Sequence, residues 1–208
     1  MSPTRVFLNI VLVLILLLPG AALFAQDEIE GQPDEYLATP YSLGDQMFSV
    51  HLGGVIPMFN YDPNTGDIKD TKLTAGWSGN IEWSAFLNQY FSIGGNVGGN
   101  LMTTPSHDDL LIIPITLVGT FTYQIFPFDI PIFVRTGINF TKRNPDLFVG
   151  PIVQAGSGFY WNMDSNWAFG TKVTYTWVPL FYGPDSDRTS QNRFGNYLEL
   201  HLGAVYHF

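Results

Sequence analysis

The chain has 208 residues, 46% of them hydrophobic and 15% aromatic but only 13% charged, about half the usual charged fraction, which excludes a disordered chain. With 9 Lys and Arg against 18 Asp and Glu, the net charge is -9, so no basic patch exists to neutralise nucleic-acid phosphates. There is no cysteine, which excludes a disulfide scaffold, a thiolate metal site, a cysteine nucleophile and a lipid-modified N-terminal cysteine.

In chain order, residues 1–25 read as a secretory signal peptide: Arg5 supplies the positive charge, Val6 to Leu18 are almost wholly apolar, and Pro19-Gly20 follow. Cleavage is expected after Ala25. No later segment approaches the roughly 18 apolar residues of a spanning helix, so a membrane location would require strands. Residues 26–46 are acidic and Pro-containing without period-2 or period-3.6 patterning, and are expected to form a flexible arm.

From Met47 to Phe208 the sequence alternates. Leu73, Ala75, Trp77, Gly79, Ile81, Trp83, Ala85 and Leu87 oppose Lys72, Thr74, Gly76, Ser78, Asn80, Glu82 and Ser84, one apolar face against one polar face. Phe91, Ile93, Val97 and Leu101 oppose Ser92, Asn96 and Asn100; Trp167, Phe169, Val173, Tyr175 and Trp177 oppose Lys172, Thr174 and Thr176. Leu198, Leu200, Leu202, Ala204, Tyr206 and Phe208 oppose Glu199, His201 and His207. Four noisier strands are expected near Phe48–Pro57, Leu111–Gln124, Ile132–Phe140 and Val149–Asn162.

Eight strands result, and their connectors alternate in length. Short ones fall at Asn88-Gln89, Phe126–Pro131 and Met163–Asn166; longer polar ones at Met58–Thr71, Thr103–Asp109, Thr141–Phe148 and Leu180–Arg193. This asymmetry predicts an antiparallel up-and-down transmembrane β-barrel with short periplasmic turns and longer extracellular loops. A soluble barrel of lipocalin type would carry many Lys and Glu on its outer face. Here the polar face is mostly Gly, Ser, Thr and Asn, which suits a packed lumen. Aromatic residues gather at strand ends, as at Trp161, Trp167, Phe126, Phe128, Trp177, Phe181 and Tyr182, where interfacial girdles belong.

The last strand, Tyr197 to Phe208, ends in Phe with apolar or aromatic residues at alternate positions before it. The run Gly150-Pro151-Ile152-Val153-Gln154-Ala155-Gly156-Ser157-Gly158-Phe159-Tyr160-Trp161, with Asn166-Trp167-Ala168-Phe169-Gly170 after it, resembles the penultimate hairpin of small OmpA-, OmpX- and OmpW-like bacterial outer-membrane barrels. The resemblance implies that Tyr206 and Phe208 form a signal for the barrel-assembly machinery. No peptidoglycan-binding domain is expected after the barrel, so an anchoring role is not carried over.

An eight-stranded barrel is just wide enough for side chains to fill. The expected lumen charges are Glu82, Arg135, Lys172 and Glu199, joined by His51, His201 and His207, and two acids against two bases should pair into one buried network. Glycines 94, 98, 156, 158 and 170 could leave a cavity, or Tyr90, Phe133, Tyr160 and Tyr197 could fill it. No cofactor, metal or catalytic set is expected. The His-x-Ser pair of lipid A deacylases is absent. Ser106-His107-Asp108 are consecutive and cannot readily adopt triad geometry, and Asp62 to Asp70 imitate a calcium loop without its bidentate Glu. The expected function is a structural or surface-interaction role through the extracellular loops, with outer-membrane lipid, the assembly machinery and surface or host ligands as partners. A conduit for small apolar molecules is the alternative; a lipid-modifying enzyme ranks below both.

Overall fold

The structure is a computed structural model and describes residues 41–104, 109–143, 146–180 and 193–208. The signal peptide, the arm before Tyr41, the Ser106-His107-Asp108 tripeptide and the loop bearing Phe181 and Tyr182 lie outside the described residues.

Nine strands occur among these: β1 Gln46–Tyr61, β2 Ile68–Lys69, β3 Gly76–Phe86, β4 Phe91–Thr103, β5 Asp109–Ile125, β6 Phe128–Arg143, β7 Asp146–Asn162, β8 Trp167–Leu180 and β9 Arg193–His207. All sequence neighbours from β3 to β9 pair antiparallel, β1 pairs with β3, and β1 also pairs with β9. Eight strands therefore close into a barrel. β2 is a two-residue addition that pairs only with the top of β1, Asn60 with Lys69 and Tyr61 with Ile68. Closure leaves no sheet edge around the barrel wall, the condition for strands to lie in hydrocarbon.

The period-2 reading fixes the faces. Leu52, Trp77, Leu117 and Leu202 point outward and are 67–76% exposed, whereas Ser84, Asn100, Arg135 and Thr174 point inward and are at most 1% exposed. Aromatic pairs ring the short-turn end, Phe91 with Phe121, Phe128 with Phe159 and Trp167 with Tyr206. A second group, Tyr61, Trp177 and Phe194, marks the long-loop end.

Three expectations need correction. The expected loop Thr141–Phe148 is mostly strand: β6 and β7 stay paired from Arg143–Asp146 downward, because backbone pairing continues past the alternating pattern. The turn expected over Phe126–Pro131 is confined to Phe126-Pro127, and Pro131 sits within β6; near it the ladder to β7 is interrupted, and Ser157 donates to the Pro131 carbonyl at 3.0 Å. Finally, the end of the expected arm is held. Gln46 opens β1, and the preceding turn is tied to the barrel by Gly44 N–H to Phe86 O (3.0 Å) and Phe86 N–H to Asp45 O (2.8 Å).

The ladder is also cut short between β7 and β8. β7–β8 pairing stops at Val153–Trp177 although both strands run on toward the loops. Pro151 and Pro179 lie just beyond that point and lack the N–H a ladder needs. The Asn139 side chain donates from the lumen to Gly150 O at 3.1 Å and to Pro151 O at 2.9 Å, so these carbonyls keep a donor.

Candidate functional site

Among the described residues, the interior holds a cluster of buried opposite charges. Glu82 on β3 accepts from Arg135 on β6, and from Lys172 on β8 at 3.1 Å. All three are almost fully buried, and both cations sit over the Phe133 ring, at 4.5 and 4.7 Å from its centroid. One carboxylate thus serves both cations, and a ring face adds to their stabilisation.

Glu199, expected in the same network, lies in another. Thr176 Oγ1 (2.6 Å) and Asn100 Nδ2 (2.8 Å) donate to it, Gln154 Nε2 lies 3.4 Å away, and the nearest basic nitrogen is His201 Nε2 at 3.8 Å. Neutral donors, rather than Arg135 or Lys172, therefore satisfy this carboxylate. The chain tilt places it one layer nearer the loops than Glu82, beyond direct reach of the cations.

The histidines bridge these layers. His51 Nε2 meets Tyr160 Oη at 2.6 Å, and His201 Nε2 meets Ser78 Oγ at 2.7 Å. Sequence reading missed the Ser78–His201 contact because the two residues lie 123 apart, and only barrel closure brings β3 near β9. It resembles a nucleophile–base pair, but the protons argue otherwise. Ser78 Oγ has Asn100 Oδ1 at 2.6 Å and Glu199 Oε2 at 3.3 Å as acceptors for its one proton, so His201 competes with two other acceptors for it. Glu199 approaches the same ring nitrogen, and His201 Nδ1 has no hydrogen-bond partner among the described residues. A third group orienting the ring at Nδ1, as a catalytic triad would have, does not occur among the described residues.

Much of the rest of the lumen is packed with side chains among the described residues. Toward the loops an apolar layer of Val55, Met102, Leu110, Ile112, Ile152, Val178 and Tyr197 is buried in contact. Toward the turns the glycines make room for rings: a Cβ on Gly156 would lie 2.6 Å from Phe133, and one on Gly158 or Gly170 2.6 or 2.8 Å from Tyr160. Phe133, Tyr160 and Tyr197 thus fill the interior, whereas Tyr90 does not; it sits 41% exposed in a short turn. A cavity of about 40 Å³ survives near the turns, between Glu82, Lys172, His51 and Tyr160 above and Asp129 and His207 below. His207 lies at this mouth and not in the charge layer.

Of the remaining candidates, Tyr206 stacks on Phe208 (6.0 Å) and meets Trp167 at a tilt (4.9 Å, 58°) on the outer face. The calcium-like loop is closed on itself instead: Lys69 Nζ contacts Asp62 at 3.0 Å, and Asn64 N–H caps the same carboxylate. The Lys69 hydrogen bond holds the Asp62 carboxyl below its usual range. Among the described residues, no group of three or more His, Asp or Glu is placed to hold a metal ion.

A protein-family model matches residues 26–206. An uncharacterized protein of Treponema pallidum (strain Nichols) is 26% identical over 137 residues, 66% of this chain and 61% of that protein. A second uncharacterized protein of the same strain is 29% identical over 77 residues, 37% of this chain and 26% of that protein. The chain thus spans less than two thirds of either relative. Among solved structures, Neisserial surface protein A superposes with a TM-score of 0.59 at 10% identity, covering 79% of this chain and 97% of that one. The outer membrane protein OprG from Pseudomonas aeruginosa gives 0.50 at 13% identity, covering 81% and 97%. At such identities the likeness is one of fold.

Proposed function

The chain belongs to the family whose model spans residues 26–206 and has the fold of the small eight-stranded outer-membrane β-barrels; from this premise we propose that it is an integral protein of the bacterial outer membrane, acting through its long loops as a structural or surface-interaction protein. The observation that carries this reading is the filled lumen. Stacked ionic, polar and apolar layers leave a cavity of about 40 Å³, too small for a solute path, so what distinguishes the molecule to its surroundings is its loop surface. The exposed apolar band faces acyl chains, the aromatic rings lie at the interfaces, and residues 1–25 direct export. Short turns face the periplasm and long loops the exterior.

The test is display. An epitope inserted between Asp70 and Thr74 should be labelled on intact cells, and replacing that loop by a short turn should reduce binding to matrix glycoproteins while the barrel still migrates as a heat-modifiable band. Labelling only after cell lysis would overturn the orientation, and unchanged binding in every loop variant would overturn the interaction role.

The conduit reading draws on the apolar layer near the loops, which would suit small apolar solutes if it opened. Faster uptake of such solutes into vesicles carrying the protein than into empty ones would favour it. Tyr206 and Phe208, stacked on the outer face of β9, are proposed as the assembly signal. Deleting Phe208 should lower the amount in the outer membrane more than Phe208→Tyr does, and equal levels for deletion and parent would remove that role.

A further inference from the structure

Tyr41, the first described residue, enters the barrel. The turn after it is fixed by Ser42 N–H to Asp45 Oδ2 (2.7 Å) and by Gly44, whose φ of 98° suits glycine. Tyr41 therefore points back into the mouth at the short-turn end. Its ring stacks on Phe86 at 4.0 Å with an interplanar angle of 18°, and on His207 at 5.2 Å and 24°. Its hydroxyl donates to Asp129 Oδ2 at 2.6 Å, and Asn162 Nδ2 holds the same oxygen at 3.1 Å. Burial first, and the Asp129 charge second, push the Tyr41 phenol above its usual range, so it stays protonated and keeps donating. Behind it lies the 40 Å³ cavity, whose wall is largely apolar (Met47, Phe86, Phe133, Val205) but also carries Thr120, His51, Glu82 and Lys172, and which is large enough for a water molecule. The Thr120 hydroxyl, on the cavity wall, is buried and has no hydrogen-bond partner among the described residues.

We propose that this mouth is a binding slot for an aryl hydroxyl group, filled in cis by Tyr41, and that residues 41–45 are a removable stopper over a hydrated vestibule reaching the Glu82–Lys172 pair. Two ring faces select a flat aromatic group, and a carboxylate at the end of the slot selects one carrying a donor. A merely space-filling plug would need the faces but not the carboxylate. Because slot and ligand share one chain, tethering keeps the site occupied, and a free phenol competes only once the Tyr41 ring is withdrawn. The proposal concerns the end of the barrel opposite the long loops, so it stands or falls independently of their role.

The chain has no cysteine, so Thr120→Cys places a single thiol in the vestibule. In the folded chain in detergent, this thiol should react slowly with a small charged methanethiosulfonate reagent. Adding Tyr41→Ala should speed the reaction about tenfold or more, as expected when a local closure of this size is lost. In that background p-cresol, the tyrosine side chain alone, should restore protection better than toluene. Equal rates with Tyr41 and with Ala would overturn the stopper; equal effects of p-cresol and toluene, or none from either, would overturn the slot. Should Tyr41→Ala fail to give the heat-modifiable folded band, Asp129→Asn in the Tyr41 background serves instead, where faster labelling supports the proposal and an unchanged rate overturns it.

Discussion

The two halves of the lumen are enclosed by the same strands, with the same inward alternation, and are filled by opposite chemistry. Near the short turns the interior is ionic and aromatic: Glu82 against Arg135 and Lys172, with Phe133 and Tyr160 packed over glycines. Near the long loops it is aliphatic, built on Val55, Met102, Ile112, Ile152 and Val178. Between them a layer of neutral polar groups holds Glu199. The difference teaches that closure of this barrel does not depend on one device. Ionic packing is sensitive to single deletions because a survivor is stranded without a partner, whereas apolar packing loses only contact and cavity energy.

The largest effect should follow removal of the shared anion. Glu82→Gln strands two buried cations and should cost about 3–5 kcal/mol in reversible unfolding from detergent or bilayers. Arg135→Met should cost less, because Lys172 keeps Glu82. Combining Glu82→Gln with Arg135→Met and Lys172→Met should recover much of the loss, since a packed apolar replacement of an ionic cluster is often neutral. In the other half Ile152→Ala should cost about 2–4 kcal/mol by opening a cavity. An Ile152→Ala loss exceeding that of Glu82→Gln would reverse the ranking of the two halves.

The same contrast explains what could be read from the sequence. Where the lumen is polar, inward and outward residues differ in kind, so the strand from Trp77 to Phe86 and the strand from Leu198 to His207 are legible by alternation alone. Where the lumen is apolar, Leu110 and Ile112 point inward while Leu111 and Ile113 lie on the other face, and the period disappears; the upper ends of β5, β6 and β7 were therefore the least legible. Burial of Glu82, Arg135, Lys172 and Glu199 follows from parity along a strand. Which of them touch does not, because height depends on shear around the closed barrel, and Glu199 consequently lies one layer away from its expected partners. Tyr41 carries no periodic signal. Its placement depends on a turn and on an acceptor 88 residues away, neither of which a local pattern contains.

Smaller effects sharpen the comparison further. Glu199→Gln keeps one acceptor and strands no cation, and should cost about 1–2 kcal/mol, measurably less than Glu82→Gln. At the exposed hairpin, Lys69→Ala should leave unfolding unchanged within error. It should also let the Asp62 carboxyl rise toward its ordinary value, followed by NMR titration. Because Asp62 is held low in the folded chain, the Lys69 contact is present above the ordinary carboxylate range and is lost as pH falls through the lowered value. A titration of Asp62 indifferent to Lys69 would remove that contact from the description of the loop.

The filled lumen itself is tested most directly by current through single molecules in a planar lipid bilayer. With all layers in place the protein should insert without stepwise conductance, while Tyr41→Ala alone should still give none, since the aliphatic layer at the loop end remains shut. Stable, solute-permeable conductance steps from the unaltered chain would contradict a packed interior and make the barrel a pore.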